Sequence, residues 1–423
     1  MNNTTQLNNM SFAVYGMGLT GKSVIKFLRK KKVKKYYIWD DIIFKKNLKK
    51  KYFFLNNLDI VDYIIISPGI NISNSIFKKK LFKNRKKIIT DLDLFYAANK
   101  VKKSIVVTGT NGKSTTCALI NHILKKNKFK TCLVGNIGVP ILNNKFDNKK
   151  TYIIEASSYQ LAHSKFIKPK YALILNITKD HLDWHGTKKN YLESKFKIFR
   201  YQNKNQIAIL NDYKLKRLYK KRKYQGKLKF LNSNISKNEI TNQYLQLEMN
   251  FKNIEFAYTI SKYFRIKKDK FLRSLQSFKG LPHRQEIFLK RKSNIFINDS
   301  KATTFESTKS ALHNYNNIIW ILGGLPKLND KIEISKFKDK IIKTYIIGKY
   351  PKFFEKQLKD KVKYTAQKQL ITVIKNIFKE LKNLNNTNIL FSPASASFDQ
   401  FKNFVDRGNY FKKIVKHYDK KYF

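Results

Sequence analysis

Residues 104 to 124, SIVVTGTNGKSTTCALINHIL, hold the strongest chemical signal in the chain: an apolar run, a turn from Gly109 to Ser114, and an amphipathic run. Gly109 and Gly112 free the backbone to curl its amides, those of Thr110 and Asn111 among them, round a phosphate. Lys113 can then reach the β and γ oxygens, and Ser114 or Thr115 can ligate Mg²⁺. The common G-x-x-x-x-G-K-[ST] spacing would need a glycine where Val107 stands. The turn therefore reads as a nucleoside-triphosphate site of a special subclass.

Three further side chains bear on that turn. Glu155 ends the run TYIIE, and ligands of parallel sheets gather at such carboxyl ends, which makes it a Mg²⁺ ligand candidate. Alone, it would be a solvated or capping acid. His181 follows the run LILNIT and can ligate metal as a neutral donor where more carboxylates would overcharge the site. Single histidines are more commonly satisfied structural groups, and that reading goes to His122, His163, His185, His313 and His417. Lys195, one of 88 basic residues, reads by itself as a solvated surface lysine.

A second glycine turn, GMGLTG at 16 to 21, follows SFAVY and precedes SVIKFLRK, with Asp40 and Asp41 after the next apolar run. Gly16 permits the tight turn, Gly18 a close approach to a pyrophosphate, and Gly21 close helix packing. Taken alone it suggests a dinucleotide-binding oxidoreductase, or merely a structural turn. Ser67-Pro68-Gly69 ends the run YIII and could close over the same ligand; an ordinary proline turn explains it equally well.

Holding these groups in place requires strands that feed turns and helices. Ser11 to Gly21, Ser104 to Thr116 and Asn317 to Gly324 each open with a strand running into a glycine turn. Tyr63 to Ser67, Tyr152 to Ile154, Tyr171 to Leu175 and Thr344 to Ile347 add β-branched runs. The pattern predicts an α/β protein with mainly parallel sheets in three domains: N-terminal Rossmann-like, central P-loop-type, and C-terminal Rossmann-like. A chain of 423 residues exceeds one ordinary core. The expected boundaries divide it into residues 1–93, 94–280 and 281–423.

The formal charge of +60 raises a nucleic-acid or membrane partner, but the lysines are scattered and come with excess Asn, Ile, Phe and Tyr, residues of A/T-rich codons. No specific nucleic-acid partner is expected. Two cysteines, Cys117 and Cys132, are too few for a disulfide framework and lack metal-ligand spacing. There is no leader pattern at MNNTTQLNNM and no long apolar stretch, so a cytoplasmic protein without membrane insertion is expected.

TGTNGKST, GNIGVP, EASSYQL and NITKDHLDWHGT resemble, in order and spacing, the central domain of the Mur ligases, which join amino acids to UDP-muramoyl precursors. GMGLTG, SPGI, LPHRQE, NDSKAT, GGLPK and SPASASFDQFKNFVDRG resemble the D-glutamate-adding branch of that family. The resemblance implies an acyl-phosphate mechanism with UDP-N-acetylmuramoyl-L-alanine, ATP and D-glutamate as substrates, two Mg²⁺ ions, and a monomer. It implies phosphate and metal binding by Lys113 and Ser114, with Asn136 nearby, metal binding by Glu155 and His181, and carbamylation of Lys195. Asn250 and Asn253 would approach adenine, with Met249 where a histidine often stands, and Arg284 and Asp299 would grip the nucleotide. Gly18, Leu19, Thr20, Asp40, Ser67, Pro68, Gly69 and Asn136 would take the UDP substrate. Lys301, Thr303, Lys327, Ser397 and Phe404 would take D-glutamate.

The rival readings fare less well on the same residues. A related ligase for L-alanine, a diamino acid or folate is disfavoured by SPASASFDQFKNF and by the lack of a D-N-P-R phrase. An NAD oxidoreductase leaves the phosphate loop unexplained. Scattered charge disfavours a nucleic-acid-binding NTPase.

Overall fold

The structure, a computed structural model, describes residues 7–99, 101–178, 180–231, 233–327, 330–381 and 384–423, without the side chains of Gln243 and Met249. The histidine substitution noted at Met249 thus lies outside the described side chains. Three sheets follow one another along the chain. The first orders β2-β1-β3-β4, all parallel, from β1 (Ser11–Tyr15), β2 (Lys35–Trp39), β3 (Tyr63–Ile66) and β4 (Ile88–Ile89). The second orders β10-β9-β8-β5-β7-β6, again all parallel. Its strands are β5 (Ser104–Thr108), β6 (Thr131–Gly135), β7 (Thr151–Glu155), β8 (Tyr171–Ile174), β9 (Ile207–Leu210) and β10 (Lys227–Phe230).

The third sheet orders β11-β12-β16-β13-β14-β15, from β11 (Glu286–Arg291), β12 (Asn294–Asn298), β13 (Ile318–Gly323), β14 (Ile341–Ile347), β15 (Tyr364–Ala366) and β16 (Asn388–Phe391). It is parallel except for the β11–β12 hairpin. The hairpin turns through Lys292 and Ser293, with Lys292 at φ 49°. The expected α/β architecture with mainly parallel sheets is what the chain adopts.

Central strands buried on both faces explain the unbroken apolar runs: all five residues of β5 and all six of β13 are buried. Alternation then sorts them by face. In the third sheet Ile319 and Ile321 pack with Ile374, Phe378 and Phe411, while Ile318, Trp320 and Leu322 pack with Phe305 and Leu312. Phe12, Val14 and Ile65 of the first sheet share one apolar core with Val106 and Ile154 of the second. On the first sheet's other face Tyr15, Trp39, Phe54 and Phe77 form an aromatic cluster.

That shared core makes one compact unit of the first two sheets, running to Gln246 and resuming at Asn250–Phe278; Leu247–Met249 and Lys279–Phe423 form the second unit. The helix Asp91–Ala98 links the first two sheets and runs through position 93. A reciprocal capping box between Thr90 and Asp93 starts it, and its Phe95 packs edge-on against Phe146 and Tyr152. No helix among the described residues is long and apolar enough to cross a membrane.

Candidate active site

In the second sheet β5 lies between β7 and β8, so the turn after β5 emerges at the carboxyl ends of the central strands, where the chain order reverses. Gly112 sits at φ +83° and caps the helix Lys113–Lys126; a Cβ there would come 2.3 Å from Asn253 Oδ1. The turn is braced from the loop after β8. Thr110 N donates to Asn176 O at 3.0 Å, Asn111 N donates to Asn176 Oδ1 at 2.9 Å, and Asn176 Nδ2 donates to Asn111 O at 3.1 Å. Thr110 Oγ1 shares a 3.0 Å hydrogen bond with the Tyr191 hydroxyl.

Two lysines meet on one carbonyl. Lys113 Nζ donates to Gly109 O at 2.9 Å and to Thr110 O at 2.7 Å, and Lys195 Nζ donates to Gly109 O at 2.8 Å. Lys195 is 1% exposed, on the helix Lys188–Phe196, so the surface reading of this lysine does not hold. The YLESKF segment carries it inward because Tyr191, Ser194 and Phe196 are buried on the same helix. Burial foremost, then the Lys113 charge, lowers its amine to about 6, against a smaller opposing pull from Asp180. Lys195 is thus mostly uncharged at neutral pH.

Glu155, the last residue of β7, is 1% exposed. Its Oε1 accepts from Asn136 Nδ2 at 2.7 Å, while Oε2 is buried with no hydrogen-bond partner among the described residues. A buried, half-satisfied carboxylate beside a phosphate loop is a donor fit for Mg²⁺. His181, at φ 52°, places Nδ1 2.6 Å from the Tyr159 hydroxyl and Nε2 3.2 Å from Asp180 Oδ2. No group of three or more His, Cys, Asp or Glu that could hold a metal ion occurs among the described residues. Ser114 and Thr115 are buried at the start of the helix.

The adenine candidates lie beneath the loop. Asn250 is 0% and Asn253 4% exposed; Thr116 Oγ1 donates to Asn253 Oδ1 at 3.1 Å and Asn250 Nδ2 to Tyr244 O at 2.7 Å. Asn253 thus stands directly behind Gly112, and Asn250 Oδ1 accepts from Asn253 Nδ2 at 3.3 Å.

In the first sheet the switch in strand order falls between β1 and β3, and their loops meet: Ser67 Oγ donates to Gly16 O at 2.9 Å. Asp40 Oδ2 accepts from Met17 N at 2.7 Å; burial pushes its carboxyl up, but the backbone amides of Ile43, Met17 and Ile42 together outweigh it and hold the group below the usual range. Gly18 has open space around it, and Leu19 is 81% exposed at the start of its helix. Thr20 is half-buried on that helix, and Pro68 and Gly69 continue the opposing loop.

In the second unit the strands β12, β16 and β13 are neighbours, and from their carboxyl ends come NDSKAT, SPASASF and GGLPK. Lys301 Nζ lies 4.0 Å from the Phe404 ring centre, Ser397 is 2% exposed, Thr303 is half-buried and Lys327 exposed. Asp299 accepts from Ser392 Oγ at 2.7 Å and Gln285 N at 3.2 Å; burial nonetheless pushes its carboxyl up to about 7, with Arg284 and Arg407 pulling the other way. Sequence reasoning missed Asn176, Tyr159, Tyr191 and Arg407. Tyr191, one tyrosine among 24, carries no local mark, whereas Tyr159, Asn176 and Arg407 lie inside phrases already singled out.

Fold and loop together put the chain in the class of α/β proteins built around a phosphate-binding turn. Residues 107–271 match the Mur ligase middle domain. The chain is 34% identical over 436 residues to the UDP-N-acetylmuramoylalanine–D-glutamate ligase of Rickettsia felis, covering 95% of this chain and 96% of that protein. It is 33% identical over 420 residues to the enzyme of the same name from Francisella tularensis, covering 96% of each. The chain belongs to the Mur ligase family, in its UDP-N-acetylmuramoylalanine–D-glutamate ligase branch. In fold alone it is similar to Thermotoga maritima UDP-N-acetylmuramate–alanine ligase (TM-score 0.60, 16% identity, covering 97% of this chain and 100% of that one). It is likewise similar to a MurF ligase of that organism in complex with ADP (TM-score 0.58, 14% identity, covering 100% and 97%).

Proposed function

We propose that the protein is an ATP-dependent ligase that forms the amide between UDP-N-acetylmuramoyl-L-alanine and D-glutamate in peptidoglycan precursor synthesis. Working parts at 1–93, 94–280 and 281–423 take the UDP substrate, ATP and the amino acid. The observation that carries the reading is the meeting of Lys113 and Lys195 on one carbonyl of the phosphate turn, with Glu155 ending the strand beside it, in a chain whose curated relatives bear that enzyme name over nearly their full length.

A carboxylate does not react with an amine unaided. The γ-phosphoryl of ATP passes to the alanyl carboxylate oxygen, giving an acyl phosphate and ADP. The D-glutamate amine then attacks the carbonyl carbon, and the tetrahedral adduct expels phosphate and loses a proton. Lys113 neutralises charge on the transferring group. It leaves the loop carbonyls to do so. Ser114, Glu155, His181 and carbamylated Lys195 are suited to hold two Mg²⁺ ions, which would supply further charge neutralisation. The uncharged Lys195 amine adds to CO₂ with loss of a proton, turning a neutral nitrogen donor into an anionic carbamate with hard oxygen ligands. Gly18, Leu19, Thr20, Asp40, Ser67 to Gly69 and Asn136 serve the UDP substrate. Lys301, Thr303, Lys327, Ser397 and Phe404 serve D-glutamate. The remaining nucleotide roles, for Asn250, Asn253, Arg284 and Asp299, rest on the family resemblance.

The test is phosphate release from ATP with the UDP-muramoyl-alanine acceptor and a panel of amino acids. D-glutamate should support turnover and the others should not. Preference for L-alanine or a diamino acid would overturn the assignment.

A further inference from the structure

Arg407 is 1% exposed, in the first turn of the helix Phe404–Tyr422. Burying a guanidinium is costly unless its donors are satisfied, and here the acceptors are a hydroxyl and carbonyls of two loops. Its Nε donates to Ser300 Oγ at 3.0 Å, and Nη2 donates to Ser300 O at 2.9 Å and to Ser395 O at 3.0 Å. Ser300 Oγ in turn donates to Phe404 O at 2.9 Å, closing the circuit back to the helix. The third loop is reached through Gly324: a Cβ there would stand 3.1 Å from Arg407 Nη1, and the Nη1 group is buried with no acceptor among the described residues. Leu325 and Ala396 exchange backbone hydrogen bonds of 2.9 and 3.0 Å, pairing that loop with the one Arg407 holds. Next along the helix, Gly408 lies against His283, and Asn298 Nδ2 donates to Gly408 O at 3.1 Å.

We infer that Arg407 is the positioning residue of the amino-acid site, a buried cationic clamp that fixes the loops after β12, β13 and β16 in the register that presents Lys301, Thr303, Lys327, Ser397 and Phe404 to a dicarboxylate. The inference rests on the D-glutamate assignment above. A guanidinium does this where lysine could not, because three fixed N–H directions reach Ser300 and Ser395 at once. Burial pulls the group down to about 10, so it stays charged at neutral pH, and its positive field adds to the preference for an acidic substrate.

The experiment is steady-state kinetics on full-length Arg407→Lys and Ser300→Ala, with KM measured separately for D-glutamate, ATP and the UDP substrate. Arg407→Lys should raise the KM for D-glutamate by about tenfold, the loss of one or two charge-assisted hydrogen bonds, and leave the other two constants unchanged. Ser300→Ala, which keeps the charge and removes only the hydroxyl bridge, should show the same split more weakly. Unchanged D-glutamate KM in a folded Arg407→Lys enzyme would overturn the inference. So would a parallel loss in kcat and all three constants with lowered thermal stability, the mark of a merely structural arginine. If Arg407→Lys does not fold, the Ser300→Ala result decides. If the wild-type protein uses another amino acid, the functional assignment has failed instead, and the split is read on the amino acid it does use.

Discussion

The turns at 16–21 and 109–114 are built alike and furnished differently. Each leads from a buried parallel strand into a helix, each has a glycine at positive φ (Gly16 at +94°, Gly112 at +83°), and each is tied to the loop after a neighbouring strand. Round the first turn the fixed groups are neutral or acidic: the Ser67 hydroxyl, and the Asp40 carboxylate on Met17 N. Round the second, two lysines share a carbonyl and a half-satisfied carboxylate lies close by. A glycine turn supplies a cradle of amides; whether the cradle only holds a ligand or also reacts with it depends on the charges buried beside it.

The comparison breaks most visibly at Lys195. Lys195→Ala should cost about a thousandfold in kcat, the scale for losing a central charge-stabilising group, with partial recovery on adding a short carboxylic acid. Because the amine is held near 6 and only its neutral form takes up CO₂, wild-type activity should fall as pH drops through about 6 and when bicarbonate is withdrawn. An active Lys195→Ala enzyme would show that the second turn needs no buried charge.

A smaller effect should appear at the first turn. In Gly16→Ala the new Cβ would stand 2.8 Å from Ser67 Cβ at a φ that L-residues avoid. The strain should raise the KM for the UDP substrate by about tenfold, equivalent to roughly 1–2 kcal/mol, while the KM for ATP stays put. Equal changes in both constants would mean the turns are not separate sites.

Asp91, in the helix joining the two sheets, should have the smallest effect on turnover and serves as a control for general destabilisation. Burial raises its carboxyl to about 6 in the folded protein, so its contribution to stability is full below the ordinary aspartate range and is lost as pH rises through 6. Asp91→Asn, permanently neutral, should therefore be more stable than wild type at pH 7.5 by on the order of 2 kcal/mol, with the difference closing by about pH 4. Denaturant titrations at the two pH values measure it. A difference that does not vary with pH would remove the burial argument.

The sequence made the turns and their strands readable because short-range rules govern them: glycine where φ must be positive, β-branched residues where a strand is covered on both faces. Glu155 could be placed for the same reason, as the last residue of a strand. Lys195 could not, since its burial depends on Tyr191, Ser194 and Phe196 packing on the same helix, and lysine is the commonest bland surface residue here. Asn250 and Asn253 show the opposite difficulty: their spacing was legible, but not that the amides would lie beneath Gly112. The β11–β12 hairpin escaped because its outer strand is only partly buried and its apolar run, Ile287 to Leu289, is short and flanked by charged residues.

The strand order of the second sheet also governs when the phosphate turn can exist during synthesis. β5 leaves the ribosome before either of its neighbours, β7 and β8, and has no partner from its own sheet until residues 151–155 and 171–174 have followed. Such distant pairings slow folding and leave apolar edges open meanwhile. Val106 and Val107 must wait in a nascent chain for Ile154 and Leu173. The phosphate turn is thus translated well before the strands that shelter it.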